Sequence, residues 1–232
     1  MIFPSLDRVK AIAPGYDIVP VYMEILSDVR TPISVLKALK QVSSHTYLLE
    51  SADNSNHWGR YSFLGYDPKI ELFCKNHKMT IKDGTTRTFE CSDPAAEIRN
   101  ILSQYKSPRL EELPTFTGGF VGYFACEYIR YIEPTLDFPT PDDDSAMVND
   151  VDLMLFDKVI AFDHYKNKIY LIANISTSDL ERNYNKAELE LKALADLVVN
   201  GKEADVPKGI LKTEFTSEFT KDEFEAIVKK TQ

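Results

Sequence analysis

Apolar and polar positions alternate along several stretches of the chain, with the period of two that is typical of strands. Residues 47–49 form a short apolar run. After a polar turn, residues 58–65 form an aromatic-rich run that predicts a returning partner strand. Asp83-Gly84, between two further runs, is a strong hairpin signal. The remaining predicted strands cover residues 18–26, 69–75, 77–82, 85–91, a glycine-containing stretch at 118–122, 151–163 and 168–175. Residues 151–163 are expected to form one long strand.

Helices are predicted between the strands, because capping residues precede runs with a helical apolar period. The capping residues are Ser5, Thr31, Asp93, Asp179 and Thr220. The helix after Asp179 is predicted to reach Val199 with one apolar stripe, and a helical turn is expected around residues 127–130. Pro20 indicates that strand 18–26 lies at an edge or begins early in its sheet. The pattern is that of sheets covered by three or four helices.

Composition limits the class of protein. The chain of 232 residues is long enough for one large domain or two small ones. A hydrophobic content of 44% and a charged content of 27% allow a sizeable core. The net charge of -9 argues against a nucleic-acid or anionic-membrane partner. No signal peptide or membrane-crossing run is found, and three separated cysteines predict free thiols in a reducing cytoplasm rather than a zinc site.

Three polar residues form the candidate site. Glu50 and Ser51 end the first apolar run, and Arg60 lies on the returning strand. Such a cluster can bind a zwitterion, with Glu50 facing an ammonium group while Ser51 and Arg60 face a carboxylate. The alternative is a solvated glutamate, a serine that bonds the turn backbone and an arginine in an ordinary ion pair. Both interpretations are open on the residues alone.

No catalytic group is apparent in the sequence. His164, at a predicted hairpin turn, is interpreted as a turn residue rather than a catalytic base. The glycines at 118, 119 and 122 lack the spacing of a nucleotide-binding loop. Basic residues are scattered, and no cluster of acidic residues with histidine has metal-ligand spacing. We therefore expect no catalytic residue and no metal ligand in this chain.

Several stretches share a pattern with one enzyme family. They are Leu-Leu-Glu-Ser at 48–51 with residues 58–65, Gly-Gly-x-x-Gly-Tyr at 118–123 running into Tyr-Ile-Arg, residues 152–157 with 162–164, and Phe-Thr-Lys-Asp-Glu-Phe at 219–224. Together they resemble the N-terminal part of the anthranilate synthase component I family. The resemblance covers almost the whole chain but only part of the family's usual length, so we expect the chain to stop before most of the chorismate-binding half.

The resemblance implies a fold and a domain division. The fold is α+β, with antiparallel sheets packed roughly orthogonally and helices outside. A scaffold and regulatory domain would cover residues 1–200, a linker 201–218, and the start of a chorismate-binding domain 219–232.

The resemblance also implies a ligand site. In this family the Leu-Leu-Glu-Ser stretch lines the regulatory site for L-tryptophan. Leu49, Glu50, Ser51 and Arg60 are therefore the expected tryptophan-binding residues.

For the whole protein, the resemblance implies conversion of chorismate and ammonia to anthranilate and pyruvate in tryptophan biosynthesis, with feedback inhibition by L-tryptophan. A glutamine amidotransferase subunit would deliver the ammonia. Mg2+ and the acid–base residues would belong to the second half. Two alternatives remain: the large subunit of aminodeoxychorismate synthase, which shares the scaffold, and a stand-alone amino-acid-binding regulatory module. Glu50-Ser51 together with residues 58–65 favours the anthranilate synthase interpretation over these alternatives.

Overall fold

Two five-stranded antiparallel sheets form the framework of the part of the chain that the structure describes. The computed structural model describes residues 1–28, 30–50, 59–133, 135, 148–205, 209–214 and 216–231. Its strands are β1 Ile18–Leu26, β2 Thr46–Leu49, β3 Tyr61–Tyr66, β4 Ile70–Lys75, β5 Lys78–Lys82, β6 Thr86–Glu90, β7 Gly119–Phe124, β8 Val151–Phe156, β9 Lys158–Asp163 and β10 Lys168–Ser176. The first sheet has the order β1-β10-β9-β3-β2 and the second β6-β5-β4-β8-β7. The predicted α+β class with antiparallel sheets is confirmed, and the roughly orthogonal packing angle stays a prediction.

Helices flank the sheets and begin where the sequence predicts. They are α1 Leu6–Ile12, α2 Pro32–Leu39, α3 Pro94–Leu102, α4 Ile129–Ile132, which follows a short 3-10 helix at Cys126–Tyr128, α5 Leu180–Asn200 and α6 Lys221–Thr231. Thr31 Oγ1 accepts a bond of 3.2 Å from the Ser34 backbone N–H, and Asp93 Oδ1 accepts one of 3.0 Å from that of Ala96. These bonds satisfy helix-end donors that would otherwise lack a partner.

Asp179 departs from its predicted role as a side-chain cap. It precedes α5, but its backbone is left-handed with φ of 52° and its side chain makes no capping hydrogen bond. The left-handed residue lies in the turn from β10 into the helix, and its carboxylate pairs with Arg182 Nη1 at 3.7 Å. The helix begins as predicted, but for a different local reason.

The core of the first sheet lies against α2 and α5. Residues spaced three or four apart on α5 face this sheet: Tyr184, Ala187, Leu191, Leu194 and Val198. The predicted apolar stripe of α5 is therefore confirmed. Leu191 is only 1% exposed, and burial of such a side chain contributes about 2 to 3 kcal/mol to folding. The second sheet has its own core, in which strands β4, β5 and β8 pack against Ile98 and Ile101 of α3.

The predicted long strand 151–163 is wrong, because the chain bends at Asp157. The first half, β8, pairs with β4 and β7 in the second sheet, whereas β9 pairs with β10 and β3 in the first. At the bend the Asp157 carbonyl accepts bonds from the backbone N–H of Asn174 at 2.9 Å and from its side-chain amide at 3.1 Å. Both halves alternate with the same period, so the pattern alone does not reveal the change of sheet.

Three remaining features of the fold bear on the sequence predictions: the edge strand, the domain division and the absence of a membrane-spanning helix among the described residues. Strand β1 lies at one edge of the first sheet, as Pro20 indicates. Residues 1–200 contain all the strands named above and α1 to α5, whereas α6 lies within residues 219–232. The three-part domain division stays a prediction. Among the described residues, no helix is long and apolar enough to cross a membrane.

Candidate functional site

Glu50 lies directly after β2, at the end of the first sheet where the sequence predicts a polar cluster. The preceding residue, Leu49, is opposite Phe63 of β3 and is 47% exposed. Glu50 Oε1 accepts a long hydrogen bond of 3.5 Å from the hydroxyl of Ser62, which is a buried residue of β3. The carboxylate is therefore oriented from the sheet side while its other side is exposed to solvent.

His164 extends this contact into a short chain of polar groups. Its Nε2 lies 2.7 Å from Ser62 Oγ, and its backbone N–H donates to the Arg60 carbonyl at 2.9 Å. A hydroxyl donates a single proton. When Ser62 donates to Glu50, Nε2 of His164 must therefore donate to Ser62. This requirement selects one tautomer of the neutral ring, or the imidazolium form.

Arg60 forms a bidentate ion pair with Asp163, the last residue of β9. Its Nε and Nη2 donate to the two carboxylate oxygens at 3.0 and 2.7 Å. The Asp163 side chain is fully buried, and Oδ1 also accepts the backbone N–H groups of Tyr165 and Lys166 at 3.1 Å each. Burial alone would raise the pKa of Asp163, but the bonds from Arg60 and from this backbone hold the pKa below its usual range.

The Arg60 guanidinium lies close to two aromatic rings as well as against Asp163. Its central carbon is 4.8 Å from the centre of the Tyr61 ring and 5.6 Å from that of Tyr165. The hydrogen bond to Asp163 raises the pKa of Arg60, so the pair is ionised. The arginine is thus held rigidly, with Nη1 outside the two bonds to Asp163.

The structure brings most of the predicted site residues to one end of the first sheet. Leu49 is the last residue of β2, Glu50 follows it directly, and Arg60 lies just before the first residue of β3. Ser51 lies outside the described residues. The charge of Arg60 is balanced by Asp163, so its contact with a ligand carboxylate stays a prediction.

Sequence reasoning missed two pairings, that of Ser62 with His164 and that of Arg60 with Asp163. His164 lies at the predicted turn, but its ring bonds Ser62, which is 102 positions away in sequence. Asp163 pairs with Arg60 across 103 positions. One signal was available: Ser62 lies between Tyr61 and Phe63 in a strand that is otherwise mostly apolar, and a polar residue on the buried face of a strand needs a partner.

Metal ligation does not fit this site. Within the described ranges, no group of three or more His, Cys, Asp or Glu side chains could hold a metal ion. The Mg2+ that the resemblance implies therefore has no suitable ligand set among these residues, and no chemical step is assigned to it.

Comparisons with known protein families and relatives match most of the chain. A family model described as chorismate binding enzyme matches residues 45–232, well over half of the chain. The chain belongs to the chorismate-binding enzyme family. The resemblance inferred from the sequence stretches is thereby confirmed at the level of the family.

Three curated relatives of this chorismate-binding family member are named anthranilate synthase component 1. The protein of Acetivibrio thermocellus is 36% identical over 197 residues, which cover 84% of this chain and 39% of the relative. That of Acinetobacter calcoaceticus is 39% identical over 189 residues, covering 79% and 37%. That of Aquifex aeolicus is 32% identical over 239 residues, covering 98% and 47%. The chain therefore spans less than half the length of these relatives.

A solved structure also resembles this family member. Anthranilate synthase component I from Streptococcus pneumoniae TIGR4 is 26% identical and matches with a TM-score of 0.43, over 72% of this chain and 36% of that one.

Proposed function

We propose that the chain is the N-terminal part of an anthranilate synthase component 1, and that its Glu50 region binds L-tryptophan as a feedback inhibitor. In this proposal the whole protein converts chorismate and ammonia to anthranilate and pyruvate. Membership of the chorismate-binding family and the name shared by three relatives support it. A glutamine amidotransferase subunit is the proposed source of ammonia, since most free ammonia is protonated near neutral pH and is then not a nucleophile.

The proposal of a tryptophan site rests on one observation, namely that the Glu50 carboxylate has no ion-pair partner among the described residues. Its hydrogen bond to Ser62 is long, and among the described residues no Lys, Arg or His nitrogen forms an ion pair with it within 4.0 Å. A ligand ammonium group would supply the missing cation, and a hydrogen bond to a charged group contributes about 1.5 to 3 kcal/mol.

The remaining residues of the proposed site have complementary roles. Nη1 of Arg60 and the hydroxyl of Ser51 would bind the ligand carboxylate, and Leu49 would contact the apolar part of the ligand. The Asp163 pair fixes the guanidinium plane before the ligand arrives, which reduces the entropy lost on binding. Ser62 and His164 would orient Glu50 without touching the ligand.

The proposal assigns the Mg2+ and the acid–base residues of the reaction to parts of the protein outside the described residues. It also assumes a cytoplasmic protein. Cys74, Cys91 and Cys126 all have free thiols, which is the usual state in a reducing compartment.

The test is inhibition of anthranilate formation by L-tryptophan in the protein at the full length of its relatives. Glu50→Gln keeps the size of the side chain and removes its charge. It should weaken inhibition about 10- to 150-fold and leave uninhibited turnover unchanged. The matched control is Glu24→Gln, which removes a carboxylate that pairs with Lys168 elsewhere in the same sheet. This control should behave as wild type.

The outcomes separate the parts of the proposal. Inhibition curves that superimpose for wild type and Glu50→Gln would refute the tryptophan site. Formation of aminodeoxychorismate instead of anthranilate would favour the folate-precursor enzyme. The 232-residue chain alone should form no anthranilate above the uncatalysed background with chorismate, ammonia and Mg2+. Turnover by the chain alone would mean that it contains the active site.

A further inference from the structure

A second candidate site lies at the bend at Asp157, where the chain passes from one sheet to the other. A cavity of about 120 Å³ opens there, lined by Lys69, Tyr105, Gly118, Leu155, Asp157 and Asn174 among others. A second cavity of about 270 Å³ shares Lys69, Asp157 and Asn174 and extends to α5. Glu50 adjoins the opposite end of β9, so the two sites are separate.

The smaller cavity has mostly apolar walls. Its apolar lining residues include Tyr105, Leu155 and Phe156, together with Leu102, which is 41% exposed. A protein cavity of about 150 Å³ holds a molecule as large as benzene. A cavity of this volume therefore suits an apolar group of three or four carbons, with the larger cavity available for polar groups.

Opposite charges line the part that the two cavities share. Burial raises the pKa of Asp157, although Lys158 and Lys69 act to lower it. Lys158 pairs with Asp67 at 3.6 Å. Lys69 Nζ lies over the Tyr105 ring, 5.2 Å from its centre. Within the part of the chain that the structure describes, neither Lys69 nor Asp157 has an ion-pair partner within 4.0 Å.

The backbone around these charges is fixed by Asn174. Its side-chain amide donates to the Thr117 carbonyl at 2.7 Å and to the Asp157 carbonyl at 3.1 Å. Gly118 makes this approach possible, since a Cβ atom there would lie 2.6 Å from the Asn174 amide nitrogen. The backbone of Thr117 and Asp157 in the cavity wall is thus held against β10. A ligand would meet a preformed site, which limits the entropy cost of binding.

We propose that this cavity binds a small zwitterion, an α-amino acid with a short aliphatic side chain. Its ammonium group pairs with Asp157, its carboxylate pairs with Lys69, and its side chain occupies the apolar cavity. The two cavity charges that lack an ion pair are the reason for choosing a zwitterion over a simple amine or acid. The Glu50 site plays no part in this binding.

The test is calorimetric titration of the 232-residue chain with L-valine, isobutylamine and isobutyrate. The two comparison compounds keep the branched apolar group and each lack one charged group. L-valine should bind at least about tenfold more tightly than either, which corresponds to loss of one charge-assisted contact. Equal affinity for L-valine and isobutylamine, or no binding of L-valine, would overturn the proposal.

Substitutions of single residues test whether L-valine binds in the cavity at Asp157. Asp157→Asn and Lys69→Met should each weaken L-valine binding about tenfold or more. The matched control Asp67→Asn removes a neighbouring carboxylate that also faces Lys158 but lies outside the cavity lining. It should bind as wild type, as should Glu50→Gln. Loss of binding in Glu50→Gln would assign the amino acid to the other site and refute the proposal.

Leu102→Trp gives an independent measurement if Asp157→Asn does not fold. Leu102 lines the cavity and is partly exposed, so a larger ring can be accommodated there while it fills the cavity. This variant should fold with a circular dichroism spectrum like that of wild type and should not bind L-valine. A folded Leu102→Trp variant with unchanged affinity would refute the cavity as the binding place.

Discussion

Asp163→Asn tests the ion pair that holds Arg60 in place. The substitution keeps the shape of the side chain, and Oδ1 can still accept the bonds from Arg60 Nε and from the backbone N–H groups of Tyr165 and Lys166. The bond that changes is the one of 2.7 Å from Arg60 Nη2. In the variant, an amide donor would face that guanidinium donor.

The expected cost follows from this geometry. Loss of a hydrogen bond between charged groups costs about 1.5 to 3 kcal/mol, and breaking a buried ion pair costs about 3 to 5 kcal/mol. The Arg60 side chain is 32% exposed, so water partly solvates it after its partner is lost. We therefore expect the free energy of unfolding to fall by about 3 kcal/mol at pH 7, at the overlap of the two ranges.

The dependence on pH provides a second check. The folded-state pKa of Asp163 is held below the unfolded value of about 3.9. The pair therefore stabilises the wild type fully above that value, and its contribution is lost as the pH falls through the lower folded-state pKa. The difference in unfolding free energy between wild type and Asp163→Asn should accordingly be large at pH 7 and shrink below about pH 4.

Urea unfolding followed by far-ultraviolet circular dichroism measures both quantities. With a dependence of about 3 kcal/mol per molar urea, the midpoint should fall by about 1 M at pH 7. Asp83→Asn is the control, because Asp83 pairs with Arg87 at the surface and should matter far less. Equal shifts for the two variants, or a difference that does not change with pH, would refute the argument that the Asp163 pair is buried and ionised.

Two further predictions concern packing. Leu191→Ala should lower the free energy of unfolding by about 2 to 5 kcal/mol, because it leaves a cavity under the first sheet, whereas Leu189→Ala, at a position 69% exposed, should change it little. Gly122→Ala should lower the melting temperature, because its Cβ atom would collide with the Asp152 carbonyl across the β7–β8 pair, whereas Gly209→Ala, with nothing within 4 Å, should not. Similar results for the two members of either matched pair would contradict the packing described above.

Local signals were sufficient for most elements of the fold. Thr31 and Asp93 mark helix starts by a bond that reaches only three residues, so a short window of sequence contains the whole interaction. The Asp83-Gly84 turn likewise fixes the β5–β6 hairpin. The bend at Asp157 was not predictable in this way, because its cause is a pair of bonds from Asn174 on another strand.

The candidate site shows the same division between local and distant causes. The position of Glu50 after a strand was predictable, since the apolar run ends there. Its partners were not, because Ser62 meets His164 and Arg60 meets Asp163 only after β3 and β9 pair in the sheet. Strand order is a property of the whole fold, and alternation within one strand carries no information about its neighbour.

The pairing of β1 with β10 has a consequence for how the protein emerges from the ribosome. Residues 18–26 are made early, yet their ladder partner is residues 168–176. Contacts between distant positions form slowly, whereas the adjacent strands β4, β5 and β6 can pair as soon as they are synthesised. The nascent chain therefore carries the apolar residues Val19, Val21 and Met23 without their ladder partner until β10 has been synthesised. Chaperone dependence should accordingly be greatest for chains stalled before residue 168, and should fall once β10 has left the exit tunnel.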